Sequence, residues 1–284
     1  MKFKHVFLEI NNEISKKIFL SPERIRYWKI YFQNNSVPNM QDFYALYLLK
    51  ESGLIKKNNN YFINGQTADF LTGAQLIKDK SKDLFLEKFI NKHFSLLNQK
   101  NDISDIYKSI KKEYDYIKNR YLNNKEIKVN YVFQNYWEFN NRQSKFILQQ
   151  QRCYEFFNQN WILPFWDNKF VNFWRNLSHK LLNDQKLYNK YLKNYDYKGL
   201  FTDVPTEYNV NHFGKYGIII KIMANLLSIF FSKKTSYNFF LIISTNSYHY
   251  LSMGFKNYLI NIKKIRNINS LYLVRWLKEK KINY

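Results

Sequence analysis

The chain has 284 residues, of which 45% are hydrophobic and 19% aromatic, and this composition excludes an intrinsically disordered protein. Its formal net charge of +23 suits an acidic partner, but the lysines are scattered from Lys2 to Lys281, which argues against a nucleic-acid surface. Cys153 is the single cysteine and the five histidines lack paired spacing, so neither a disulfide framework nor a structural metal site is expected.

Helices dominate the predicted elements, because glycine and proline number only 7 and 4. Ser21 followed by proline predicts a helix that runs to about residue 32, and another is predicted over 42–52. Tyr61–Ile63 is a short apolar run before a glycine-containing loop, as a buried strand would be. Apolar residues at three- and four-residue steps predict further helices over 83–97, 103–122, 137–157, 167–182 and 184–195. The predicted fold class is therefore α/β and mostly helical.

The most apolar stretch of the chain is 217–231, which Lys221 and Asn225 interrupt. It is shorter than the ~20 apolar residues that a membrane span needs. We therefore predict a buried helix here, with a helix on a membrane surface as the alternative, and no membrane span. Residues 1–20 lack the unbroken apolar region of a signal peptide, so a cytoplasmic location is expected.

The segment most suggestive of chemistry runs from Ile63 to Gly73, with the sequence INGQTADFLTG. A strand that ends in a glycine-containing loop lets backbone amides approach phosphate, and a following acid such as Asp69 can hold a magnesium ion. The same pattern also fits an ordinary Asn-Gly turn followed by a helix that Asp69 caps.

A second segment carries Arg152 and Glu155 on a predicted helix and then Pro164, Phe165, Trp166 and Asp167. By residue type alone this is a helix with two charged side chains, a loop that proline begins, and an aspartate that caps the next helix.

In this order, the two segments resemble the synthetase domain of the asparagine synthase family. The resemblance is closest to asparagine-synthase-like proteins of bacterial O-antigen and surface-polysaccharide clusters. That family has Ser-Gly-Glu-Gly-(Ala/Ser)-Asp-Glu and a later glycine where this chain has 64–70 and Gly73, and Pro-Phe-Leu-Asp where it has 164–167. A Lys-containing helix of the family is similar to 186–192, and the resemblance covers about 24–277.

The resemblance implies an incomplete adenine-nucleotide α-hydrolase-like (PP-loop-type) domain. Residues 1–80 would supply the residual strand and helix of its nucleotide-binding core, with a short parallel sheet, and 81–284 a large helical part. It also implies a ligase that uses ATP and Mg²⁺: a substrate carboxylate attacks the α-phosphate, and ammonia then displaces AMP from the acyl-adenylate.

The resemblance assigns catalytic roles to Asp69, Glu155, Lys186 and Lys190, a metal-linked role to Asp69, and cofactor binding to Gly65, Gln66, Thr67, Ala68, Gly73 and Asp167. Lys186 or Lys190 would neutralise the polyphosphate as a point charge, or both are simply solvated. The Asp69 carboxylate is expected to face a crevice that it shares with the helices around Glu155 and Asp167.

The chain also departs from the family pattern. It contains no Ser-Gly-Gly-x-Asp-Ser loop for pyrophosphate, Gln66 and Phe70 stand where the asparagine synthases have acids, and no N-terminal cysteine supplies a glutaminase. We therefore expect a truncated or split enzyme that is inactive alone. Its partners would be a complementing half with the phosphate-binding loop and a source of ammonia, such as a glutaminase. The alternatives are a non-catalytic binding or assembly protein and, third, a basic nucleic-acid-binding protein.

Overall fold

A computed structural model gives the architecture of most of the chain. The residues it describes are 6–31, 37–56, 60–79, 81–94, 103–121, 126–196, 199, 217–231, 235–236, 239, 252–262 and 264–282. Over these residues the protein is mostly helical and contains a two-stranded parallel sheet.

The elements before residue 150 are α1 (Asn12–Phe19), α2 (Pro22–Tyr31), α3 (Met40–Glu51), β1 (Tyr61–Ile63), α4 (Ala68–Thr72), α5 (Lys82–His93), α6 (Ser104–Tyr121), α7 (Glu126–Trp137), a π-helix (Glu138–Ile147) and α8 (Leu148–Gln150). Those that follow are α9 (Arg152–Phe156), β2 (Asn160–Ile162), a 3-10 turn (Pro164–Trp166), α10 (Asn168–Arg175), α11 (His179–Leu182), a second 3-10 turn (Asn183–Gln185), α12 (Lys186–Asn194), α13 (Gly217–Leu227), α14 (Phe255–Asn261) and α15 (Ile268–Glu279).

Local signals place the ends of the early helices. The Ser21 hydroxyl accepts a hydrogen bond from the Arg24 amide at 3.2 Å, which confirms the predicted cap of α2. The Asn39 side chain caps α3 by accepting from the Asp42 amide at 3.1 Å. Gly53 follows α3 with a φ of +69°, the left-handed conformation that commonly ends a helix.

The sheet pairs β1 with β2 in parallel, with Phe62 opposite Trp161. The prediction of a buried strand is wrong, because Tyr61 and Ile63 are 67% and 70% exposed. Side chains alternate between the faces of a strand, and only Phe62 faces inward here, where its ring lies 4.9 Å from that of Tyr154. This short sheet therefore buries only one of its two faces.

Several predicted helices are interrupted. The helix predicted over 137–157 is a π-helix, then α8, a turn at Gln151, and α9. The one predicted over 167–182 breaks at 176–178. The one predicted over 184–195 begins at Lys186, because Asp184 and Gln185 have φ values of +57° and +54°. The predicted ends at 97 and 122 lie outside the described residues.

Three groups of buried apolar side chains hold the helices together. The largest combines α1, α2, α3 and α9 with α14 and α15. A second lies among α5, α6 and α7, and a third joins α4 to α10 and α11. The largest group therefore draws on both sides of the boundary predicted at residue 80.

The prediction of a buried helix over 217–231 is wrong, because most of its described side chains are exposed or half-buried. Ala224 is buried, but the apolar side chains of Ile222, Leu226, Ile229 and Phe230 are exposed. An apolar composition creates a preference for burial, whereas burial itself needs a neighbour to pack against. Within the described part of the chain, no helix combines the length and apolarity that crossing a bilayer requires.

A buried guanidinium ties α2 to α15 near the ends of the described chain. Arg24 is 2% exposed, and its Nη1 donates to both carboxylate oxygens of Glu279 at 2.9 and 3.0 Å. Its Nε donates to the Phe19 carbonyl at 2.7 Å, and the group lies over the Phe19 and Trp28 rings. Only the planar fork of arginine makes all of these contacts at once.

We expect Arg24→Lys to lower the free energy of unfolding by about 2 kcal/mol, because an ammonium cannot keep both the paired bonds and the bond to Phe19. Arg275→Lys is the matched control, since Arg275 donates to the same Glu279 from a more exposed position and should cost about 0.5 kcal/mol or less. Urea unfolding measures both; equal losses in the two variants would contradict the assignment.

Candidate functional site

The loops that leave the two strands lie side by side, as the carboxyl ends of parallel strands should. A Cβ on Gly65 would lie 3.9 Å from the Phe165 ring. The Thr67 hydroxyl accepts a hydrogen bond from Trp166 Nε1 at 3.0 Å and donates to Gln143 Oε1 at 3.0 Å. The two stretches in which the sequence predicted chemistry are therefore adjacent.

A chain of side-chain amides fixes the loop after β1 to the helices behind it. Asn64 Nδ2 donates to Gln151 Oε1 at 2.6 Å, and Gln151 Nε2 donates to Gln66 Oε1. The Tyr154 hydroxyl donates to Asp42 Oδ2 at 2.9 Å. Burial, reinforced by the Asp42 charge, raises the pKa of Tyr154 well above its usual range. Gln66 thus forms an amide pair with Gln151.

The three predicted carboxylates each have local partners. Asp69 is exposed and accepts from the Phe70 amide at 2.8 Å and from the Gln75 side chain. Glu155 accepts from Trp161 Nε1 at 3.2 Å, and Arg152 lies 3.8 Å away.

Asp167 caps α10 by accepting from the Phe170 amide at 3.0 Å. Each of the three carboxylates is thus bonded to partners close in sequence, and the common crevice stays a prediction. The described residues contain no group of three or more His, Cys, Asp or Glu side chains that could hold a metal ion.

Two of the predicted cofactor-binding residues have distinct backbone conformations. Thr67 is buried and precedes α4 with a φ of +78°, and the Ala68 amide turns back to the Gly65 carbonyl. Gly73 ends α4 with a φ of +94°. A Cβ there would overlap the Leu182 carbonyl oxygen and lie 2.8 Å from its carbon, so α4 and α11 can approach this closely only at a glycine.

Lys186 and Lys190 line a cleft with a volume of about 560 Å³ along α11 and α12. Lys193 follows them on the same face, because positions i, i+4 and i+7 align on a helix. The complete lining is Lys180, Asn183, Asp184, Lys186, Asn189, Lys190, Lys193 and Asn194. The one acid of this set, Asp184, forms an ion pair with Lys78. The cleft is therefore cationic, and its four lysines are all exposed to solvent, so both alternatives for Lys186 and Lys190 stay open.

The cleft adjoins the end of α4. Gln185 Nε2 donates to the Thr72 hydroxyl at 2.6 Å, next to the close approach of Gly73 and Leu182. Asp69 lies in the first turn of α4 and Thr72 at its last residue, so the contact with Gln185 is made at the end of the helix away from the loop after β1.

Sequence reasoning missed a row of buried polar side chains behind these loops: Gln134, Glu138, Gln143 and Gln151. Gln134 and Glu138 are one α-helical turn apart, and the π-helix keeps Gln143, five residues further on, on the same side. Amide side chains that recur at helical spacing from residue 130 onward are the signal that could have revealed the row.

Glu138 is the charged member of this row and is fully buried. Its Oε1 accepts from Lys92 Nζ at 2.6 Å, from Gln134 Nε2 at 2.8 Å and from His93 Nε2 at 3.1 Å, while its Oε2 receives no hydrogen bond from the described residues. Burial alone would raise the pKa of Glu138, but the bonds and charges of His93 and Lys92 outweigh it and lower the pKa.

Burial lowers the pKa of His93 in turn, although the bond to Glu138 acts in the opposite sense. The carboxylate and the Lys92 ammonium form the charged pair, and neutral His93 donates from Nε2.

Comparisons with models of protein families, with curated proteins and with solved structures found no match to this chain. The resemblance to the asparagine synthases accordingly stays a prediction, and function must be inferred from the residues described above.

We expect Gly73→Ala to lower the free energy of unfolding by about 3 kcal/mol. Alanine is strained at this left-handed φ, and its Cβ would also collide with the Leu182 backbone. Gly53→Ala is the control: it has a similar positive φ, but nothing lies within 4 Å of the added carbon, so it should cost only about 1 kcal/mol. Chemical unfolding of both variants measures the difference, and equal costs would show that the Leu182 contact is not tight.

Stability should fall as the pH drops below about 6.5, the ordinary pKa of histidine. The pKa of His93 is lowered in the fold, so the unfolded chain takes up the proton first and acid favours unfolding. Below about pH 4.3 the lowered pKa of Glu138 adds a further loss in the same direction.

Urea unfolding between pH 8 and 5 tests this expectation. His93→Gln should flatten the decline, whereas His179→Gln, which removes a histidine outside this cluster, should leave it unchanged. A His93→Gln profile parallel to that of the wild type would contradict the role of His93.

Proposed function

We propose that this chain binds a polyphosphate in the lysine cleft, as part of an asparagine-synthase-like domain for ATP-dependent amide formation. The observation that carries the proposal is the convergence of Lys180, Lys186, Lys190 and Lys193 on one cleft of about 560 Å³. Like charges held together in a small space repel each other, and a multiply charged anion offsets that repulsion. Asparagine side chains on the same lining can add neutral hydrogen-bond donors.

The arrangement of the two loops supports the proposed kind of domain, and none of their residues lines the lysine cleft. In open sheets with parallel strands, ligands bind beyond the carboxyl ends of the strands, and this is where 64–67 meets 164–166. The order of these segments along the chain is the one that the resemblance relies on. We interpret the two-stranded sheet as the residual core of a PP-loop-type domain.

In the proposed reaction a substrate carboxylate attacks the α-phosphate of ATP, forming an acyl-adenylate and releasing pyrophosphate. Ammonia then displaces AMP from the acyl carbon. The lysines of the cleft would hold the negative charge of the leaving pyrophosphate as point charges, and this positioning is the contribution of the chain itself. This sequence has no Ser-Gly-Gly-x-Asp-Ser loop, so the lysines would have to replace the backbone amides of that loop.

The residues present do not fit a magnesium site built by the protein. Asp69, the predicted ligand, already accepts two hydrogen bonds and has no second acid beside it among the described residues.

A non-catalytic binding protein is the second candidate. The bonds of Asp69, Glu155 and Asp167 favour it, because each carboxylate is bonded to partners close in sequence and none of these bonds links the three into one centre. In that case the cleft binds the anion without turnover. Exchange of labelled pyrophosphate into ATP in the presence of candidate carboxylates separates the two: exchange identifies the ligase, and binding without exchange identifies the binding protein.

We expect Lys186→Gln with Lys190→Gln to weaken ATP binding about tenfold or more, because two charged contacts to phosphate are lost. Lys16→Gln with Lys17→Gln is the matched control: it removes the same charge from exposed positions on α1 and should change affinity little. Titration calorimetry at low and moderate salt gives both affinities. If the two double variants bind ATP as tightly as each other, the cleft is not the phosphate site.

A further inference from the structure

One side of α13 and of the turn that follows it exposes only apolar side chains, and we call this side the apolar face. It consists of five residues that are between 46% and 77% exposed: Ile222, Met223, Leu226, Ile229 and Phe230. Their spacing of i, i+1, i+4, i+7 and i+8 gathers them within about one third of the circumference of a helix. Single exposed apolar residues are ordinary, whereas a contiguous patch usually marks an interaction site.

The other side of α13 already packs against the protein. Ala224 is 5% exposed, and Phe231, seven residues further on and so on the same side, packs against the largest group of buried side chains. The turn after α13 keeps the winding of the helix, since the Phe230 amide donates to the Leu227 carbonyl at 3.0 Å. The helix is therefore held with its apolar face toward solvent.

The stretch of sequence that contains α13 is basic throughout. Residues 208–278 include ten lysines and arginines but no aspartate or glutamate, so all 22 acids of the chain lie outside this stretch. Lys256, Lys264 and Lys278, in its described parts, are exposed. Lysines are spread over the whole chain, but here no acid close in sequence compensates their charge.

We propose that the apolar face of α13 docks on the surface of an anionic lipid bilayer, with the helix lying along the interface. Such binding combines apolar side chains that enter the boundary between head groups and acyl chains with basic residues that are attracted to the head groups. The 11 residues of α13 suit a helix that lies on a membrane rather than one that crosses it. None of the five apolar residues lines the lysine cleft, so this binding is independent of the proposed function.

An anionic membrane fits this face better than a second copy of the chain. Two copies that met here would bring two acid-free stretches together, and like charges repel each other. Protein interfaces also combine an apolar centre with direct hydrogen bonds, and the five side chains of the apolar face supply no donor.

Co-sedimentation with vesicles tests the proposal. The wild type should bind vesicles of phosphatidylcholine mixed with phosphatidylserine at least about tenfold more tightly than vesicles of phosphatidylcholine alone. The triple variant Leu226→Gln, Ile229→Gln, Phe230→Gln keeps every charge but loses the apolar contacts. It should bind the mixed vesicles at least about tenfold more weakly than the wild type.

The matched control is the triple variant Leu84→Gln, Ile25→Gln, Phe173→Gln. It removes the same three residue types from positions on three other helices that are 52–53% exposed. It should bind the mixed vesicles as tightly as the wild type does. Urea unfolding of both triple variants checks that each is folded, as substitutions at exposed positions should leave them.

A fluorescent label reports whether the apolar face enters the lipid. Cys153 is buried, so an environment-sensitive dye attached to Ile229→Cys in the folded protein marks the apolar face alone. The dye emission should shift to shorter wavelength when the mixed vesicles are added. The same dye on Ile25→Cys should not respond.

Three outcomes would overturn the proposal. Equal binding of the mixed vesicles by the two triple variants would show that charge alone attracts the chain to them. A dye on Ile229→Cys that stays in water while the protein is on the vesicles would show that another surface faces the lipid. A wild type that does not bind the mixed vesicles, but forms a dimer that the first triple variant abolishes, would identify the apolar face as an interface between copies.

Discussion

The segment between α4 and α5 has neither a helix nor a strand to receive its backbone hydrogen bonds, and side-chain amides of α7 take that place. Gln134 donates to the Gln75 carbonyl at 2.8 Å and accepts from the Ile77 amide at 2.9 Å. Asn130 donates to the Asp79 carbonyl at 2.9 Å. Backbone groups buried without partners are costly, so this ladder determines where the segment can run. Because the segment is fixed, α4 is fixed, and with it the loop after β1 and the contact with α11.

Gln134 of this ladder also bonds to Glu138, and the partners of Glu138 explain how a buried acid is tolerated. Glu138 receives three donors on one oxygen, and Lys92, which also donates to the Gln75 carbonyl, balances its charge. A buried ion pair adds little net stability compared with apolar packing, whereas the loss of one partner is expensive. The pair therefore contributes mainly by fixing how α5, the segment between α4 and α5, and the π-helix pack against each other.

What the sequence could predict depends on how local each determinant is. The cap at Ser21 and the left-handed Gly53 act within a few residues, and both lie where the pattern indicated. The exposure of β1 depends on how many strands join it, which an apolar run cannot reveal. The partner strand β2 is three residues long and pairs with β1 across almost a hundred residues, so no short-range pattern predicts it.

The candidate site also combines features that the sequence can predict with features that it cannot. Lys186 and Lys190 could be predicted because they share one helix face, whereas Lys180 joins them only through the fold of α11 against α12. The sequence identifies Asp69, Glu155 and Asp167 as candidate carboxylates. Their hydrogen bonds to neighbouring backbone and side chains depend on how the chain folds around them. Glu138 and Lys92 are distant in sequence and unremarkable in composition, so their pairing could be found only in the folded chain.

The π-helix also affects which insertions and deletions this chain can tolerate during evolution. A wide turn of this kind carries one residue more than an α-helix of the same rise. Losing a single residue within Glu138–Ile147 would let the backbone relax to ordinary α-geometry and leave Gln151 facing Asn64, whereas the same loss within α7 would turn everything downstream by about 100°. Single-residue deletions should therefore be tolerated better in this stretch than in the α-helix before it.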